Sequence, residues 1–109
     1  MASVSTIPLS ITPEASAQVA KLGMEEPFEQ MLEHTRETVP GLRSIRVTLQ
    51  PPYDLGEDPC VLIEANRDNP QLQDDPTDRE WGYWRLTTFS PKVFPHFVMY
   101  SVYRPDNAG

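Results

Sequence analysis

The chain has 109 residues, enough for one domain with a single modest core. Its apolar fraction of 39% is too high for a disordered chain, and its formal charge of −7 opposes phosphate backbones, so direct duplex binding is not expected. Cys60 is the only cysteine, so an intrachain disulfide is excluded and a reducing cytoplasm is the expected setting.

Residues 1–11 carry no base and no long apolar run, so neither a signal peptide nor a membrane span is expected there. Ile7, Leu9 and Ile11 alternate with Pro8 and Ser10, the pattern of a short edge strand. Thr12-Pro13-Glu14 is a helix start, with a hydroxyl cap and a proline at the first helical position. That helix runs to Leu22, and Gly23 supplies its stop. Met24, Phe28, Met31, Leu32, Thr35 and Val39 then form one stripe of an amphipathic helix, ended by Pro40-Gly41.

Arg43 to Gln50 alternates cleanly and predicts a half-buried antiparallel strand. Cys60 to Ala65 is more continuously apolar and is expected in the centre of the sheet, joined to the first strand as a hairpin with a long connection. Residues 67–76 read as a polar loop. Thr77-x-x-Glu80 is a candidate capping box for a short helix through Thr88 or Phe89, burying Trp81, Trp84 and Thr88. A strand is the rival reading there, because Tyr83, Trp84, Thr87, Thr88 and Phe89 all favour sheet. Phe97 to Tyr103 is a last strand, apolar on both faces and so expected to be internal or covered on both sides.

The expected fold is α+β: two N-terminal helices on one face of a small, mostly antiparallel sheet of three to four strands, with a short Trp-rich helix before the last strand. Residues 1–11 form an extended segment, 12–104 one domain, and 105–109 a flexible tail.

The charge is unevenly placed. Asp54 to Glu80 holds nine acids and two bases, and the rest of the chain balances to zero. Beside this acidic stretch lies a dense aromatic segment, from Trp81 to Tyr100. A protein-binding surface with an aromatic anchor and a charged, steering rim has this composition. It suits a basic protein partner, with Asp74, Asp75 and Asp78 standing in for phosphates and Trp81, Trp84 and Arg85 beside them. The competing reading is a small enzyme or ligand-binding domain, with a pocket between the sheet and the Trp-rich helix lined by Glu64, His96 and Tyr100. Self-association as a homodimer through the last strand is a third.

Other chemistry finds little support. His34, His96 and Cys60 are too few and too scattered for a structural zinc site. His34 reads as a solvent-exposed helical histidine, and Cys60 as a small hydrophobe with acids nearby that raise a thiol pKa. The acidic stretch lacks the calcium-loop spacing, and no glycine-rich phosphate loop is present. No catalytic residue, metal or cofactor is expected, and neither is a membrane or nucleic-acid partner.

Two resemblances add to this reading. Ile11-Thr12-Pro13-Glu14-Ala15, followed by Gly41-Leu42-Arg43 and a strand, resembles the start of A-type iron–sulfur carrier proteins. That family's function rests on three cysteines, and with Cys60 alone its activity does not carry over. Residues 24–104, a helix, a hairpin with an acidic loop, a Trp-rich helix and an aromatic strand, resemble small uncharacterised bacterial α/β proteins. That likeness implies no activity.

Overall fold

The computed structural model describes residues 7–50, 59–68 and 75–103. Within them the chain forms β1 (Leu9–Ile11), α1 (Pro13–Leu22), α2 (Glu25–Thr38), β2 (Leu42–Gln50), β3 (Cys60–Arg67), α3 (Thr77–Thr88), a 3-10 turn (Phe94–His96) and β4 (Phe97–Tyr103). Three helices and a four-stranded sheet make an α+β fold. The connection after Gln50, with Asp54, Glu57 and Asp58, and the end of the chain from Arg104 lie outside the described residues.

Local chemistry sets the helix ends. Thr12 Oγ1 accepts the Ala15 N–H at 3.2 Å, and Pro13 opens α1. Gly23 closes it in the left-handed region, at φ 68°, where its N–H reaches Ala20 O and the Met24 N–H reaches Val19 O. A side chain at that φ costs roughly 1–2 kcal/mol, which is why glycine stands there. Gly41, at φ 70°, makes the turn from α2 into β2, and its carbonyl accepts the Asp68 N–H at 3.0 Å. Residues 77–88 are helical, which decides between the two readings of that segment. The expected capping box does not form. Thr77 lies inside the helix, and its amide and hydroxyl both donate to Asp75 Oδ1, at 3.2 and 2.7 Å.

The strand order is β1-β2-β3-β4, and the sheet is mixed rather than mostly antiparallel. Only β2 and β3 pair antiparallel; β1 runs parallel to β2 and β3 parallel to β4. The reason lies in the connections. Parallel neighbours need a crossover connection of about a dozen residues or more, usually helical, and α1 with α2 supplies it between β1 and β2 as α3 does between β3 and β4. β4 therefore closes one side of the sheet rather than lying within it.

Burial alternates along the strands. Ile45, Val47, Val61, Ile63, Ala65, Phe97 and Met99 are buried and join Ala15, Val19, Phe28, Met31, Leu32 and Trp81 in one core cluster. Phe28 stacks on Phe97 with ring centroids 6.0 Å apart. At about 1.5–3 kcal/mol per buried large apolar side chain, this cluster is the main source of stability. The alternate strand positions, among them Arg46, Leu62, Glu64, Val98, Tyr100 and Val102, are half-buried or exposed. No helix among the described residues is long and apolar enough to cross a membrane.

Candidate functional site

The start of α3 is fastened to the sheet by a buried polar network. Arg67 ends β3 with its side chain fully buried, and its Nη1 lies 2.9 Å from Asp75 Oδ2. That contact is an ion pair rather than an aligned hydrogen bond. The same Nη1 donates to Ser101 Oγ at 3.2 Å, and the guanidinium lies over the Tyr103 ring at 5.5 Å. Ser101 in turn donates its hydroxyl to Asp78 Oδ1 at 2.5 Å and its N–H to Asp78 Oδ2 at 2.9 Å. The Thr77 hydroxyl, ahead of its amide and the Arg67 charge, holds the Asp75 carboxyl below the usual carboxylate range, against the opposing effect of burial.

Two of the three aspartates that the sequence offers to a partner are thus engaged inside the fold, and Asp74 lies outside the described residues. Trp81 is 2% exposed and belongs to the core. Its indole N–H donates to the buried Thr35 hydroxyl at 3.0 Å, and that hydroxyl donates to Met31 O at 2.7 Å. Arg85 is half-buried, donates to Phe97 O and lies over the Phe94 ring at 5.8 Å. Burial lowers its pKa, against the effect of Cys60 nearby. Burial raises the Cys60 thiol in turn, more than Arg85 lowers it, so the thiol stays protonated and a poor nucleophile.

The alternative pocket residues sit apart from these. Glu64 and Tyr100 are register partners across β3 and β4, with Arg46 opposite Glu64 on β2. Burial, then the Glu64 charge, raises the Tyr100 phenol, and Arg46 opposes them. His96 lies in the 3-10 turn before β4.

A cleft of about 230 Å³ lies between α2 and α3, lined by His34, Thr38, Thr77, Glu80 and Trp81. None of Glu64, His96 and Tyr100 lines it. Beside it the His34 imidazole stacks on Trp84, with centroids 3.7 Å apart and the planes 3° from parallel. Trp84 is held by Trp81, tilted at 5.7 Å, and by Phe89, edge-on at 5.4 Å. Burial against these rings lowers the His34 pKa, more than the Glu37 charge raises it, which favours the neutral imidazole.

Sequence reasoning placed His34 in solvent. No signal within α2 reveals its place, because the ring it stacks on belongs to α3. A second acidic surface lies along α2. Glu25, Glu26, Glu29, Glu33 and Glu37 are all exposed along α2, where Arg36 pairs with Glu33 at 3.3 Å. On α3, Tyr83, one turn from Glu80, is 69% exposed, and Leu86, a further turn on, 47%.

The described residues hold no group of three or more potential metal ligands. No family model matches the chain, and comparison with the curated proteins and with solved structures likewise finds no match.

Proposed function

We propose that this protein is an acidic, non-enzymatic interaction module that binds a basic protein partner across the outer surfaces of α2 and α3. The observation that carries this reading is the exposed pair Tyr83 and Leu86 beside a glutamate-lined helix. Aromatic anchors supply most of the energy at protein interfaces, and a charged rim steers association and sets its rate. The half-buried His34–Trp84 stack adds a rigid aromatic wall, already ordered before any partner arrives. The partner-facing acids in this reading are Glu37 and Glu80 rather than Asp75 and Asp78, because the aspartates hold α3 to the sheet. A reducing cytoplasm suits the protonated Cys60 thiol.

Affinity capture with the intact chain tests this. A basic partner retained by the wild type should be lost with Tyr83→Ala and weakened several-fold by the Glu37→Gln, Glu80→Gln pair or by raised salt. Retention unchanged by all three would refute the reading.

Self-association is a second reading. It is favoured by Leu62, Val98 and Val102, which lie on the sheet positions that alternate with the core set. A mass that rises with concentration in sedimentation, and no longer rises in Val98→Lys, is the expected result if that face pairs. A constant monomer mass removes it.

A further inference from the structure

We infer that the α2–α3 cleft is a binding site for a primary alkylammonium group, the head of a lysine side chain or of a free polyamine. The inference rests on reading this surface as the partner site, and it names what the cleft takes.

The argument is a count of donors and acceptors. The Thr38 hydroxyl donates to His34 O at 2.7 Å, and the Thr77 hydroxyl donates to Asp75 Oδ1 at 2.7 Å. Both protons are spent, so each hydroxyl offers the cleft lone pairs only. The Trp81 N–H is spent on Thr35, so its ring is a wall without a donor. Glu80 makes no side-chain hydrogen bond or ion pair among the described residues, and a carboxylate only accepts. His34 brings one ring donor and one ring acceptor when neutral. The lining is therefore almost entirely accepting, with one negative charge. An ammonium is its complement: three donors, no acceptor and a positive charge.

Size agrees. Ligand pockets for drug-sized molecules run from about 300 to 1,000 Å³, so a cleft of about 230 Å³ takes a single side chain or a short amine. The aromatic wall suits a cation as well as the alkyl chain that bears it. Acidic side chains at the N-terminus of α3 oppose its positive field. The Thr77 N–H is bonded to Asp75, the Glu80 N–H to Pro76 O, and both Asp75 and Asp78 lie at that end.

Titration of the intact protein with n-butylammonium, followed by amide chemical shifts, tests the inference. Saturable shifts are expected at Thr38, Thr77 and Glu80. n-Butanol, of the same length but neutral, and butyrate, of opposite charge, should give none. Glu80→Gln keeps the shape and removes the charge, and should weaken binding about tenfold or more. Equal binding of n-butanol, or an unchanged affinity in Glu80→Gln, overturns the inference, as does the absence of saturation. A lysine-containing peptide and spermidine then separate the two sources: whichever binds tighter identifies the natural guest. A captured partner with no butylammonium binding overturns this inference and leaves the partner reading standing. Butylammonium binding with no partner does the reverse.

Discussion

Arg67→Ala should lower the stability of this protein by about 3–5 kcal/mol, because it leaves Asp75 in a nearly closed site without its countercharge. For a domain of this size each kcal/mol shifts the melting temperature by roughly 4–8 °C, so thermal unfolding followed by circular dichroism reads the loss easily. The double variant Arg67→Met, Asp75→Asn removes both charges together and should recover most of the loss, since replacing a buried pair by neutral groups of similar volume is often close to neutral. Equal destabilisation in the single and double variants would show that the ion pair is irrelevant. The network also predicts an acid limb. Asp75 has a lowered pKa in the folded state, so its contribution is fully present above its unfolded value, about 4. It is lost as pH falls through the lower folded value. Asp75→Asn should flatten that part of the stability curve.

Trp81→Ala is expected to cost about 3–5 kcal/mol, the usual range for emptying a buried aromatic site. Two milder variants separate packing from hydrogen bonding. Trp81→Phe keeps most of the ring and removes the donor to Thr35. Thr35→Val keeps the volume and strands the indole N–H in the core, at about 1–3 kcal/mol. Urea midpoints should therefore fall in the order wild type, Thr35→Val, Trp81→Ala, with unchanged slopes. A Thr35→Val midpoint equal to the wild type would mean that the indole N–H finds another acceptor.

Much of the architecture was legible in the chain because its signals are local. Thr12-Pro13 and Gly23 bound α1, the stripe from Phe28 to Thr35 is the buried side of α2, and the alternation of Ile45 and Val47 marks the core side of β2. The direction of strand pairing was not legible in the same way. It depends on which strands each helix connects, and the three-residue β1 gives too little pattern to reveal its parallel seat beside β2. The candidate site was legible only in part. Trp84 was singled out, but its partner His34 lies fifty residues earlier, and no periodicity within one helix brings them to 3.7 Å. Asp75 and Asp78 show the opposite error. Clustered acids read as a surface feature, and only the buried Arg67 at the end of β3 and Ser101 on β4 reveal that they point inward.

Two of the bonds that tie α3 to β4 also govern what the sheet does at its boundary. Phe97 and Ser101 sit at alternate positions of the last strand, so the Phe97 carbonyl and the Ser101 amide both point away from β3. Arg85 takes the first and Asp78 the second. A strand from another molecule can add to β4 only by displacing a helix held by a buried ion pair. The opposite boundary is β1, too short at three residues and too close to Pro8 to template much pairing. The helix that displays the aromatic surface is therefore also the guard against runaway sheet growth. Conditions that loosen α3, acid among them, should therefore bring aggregation.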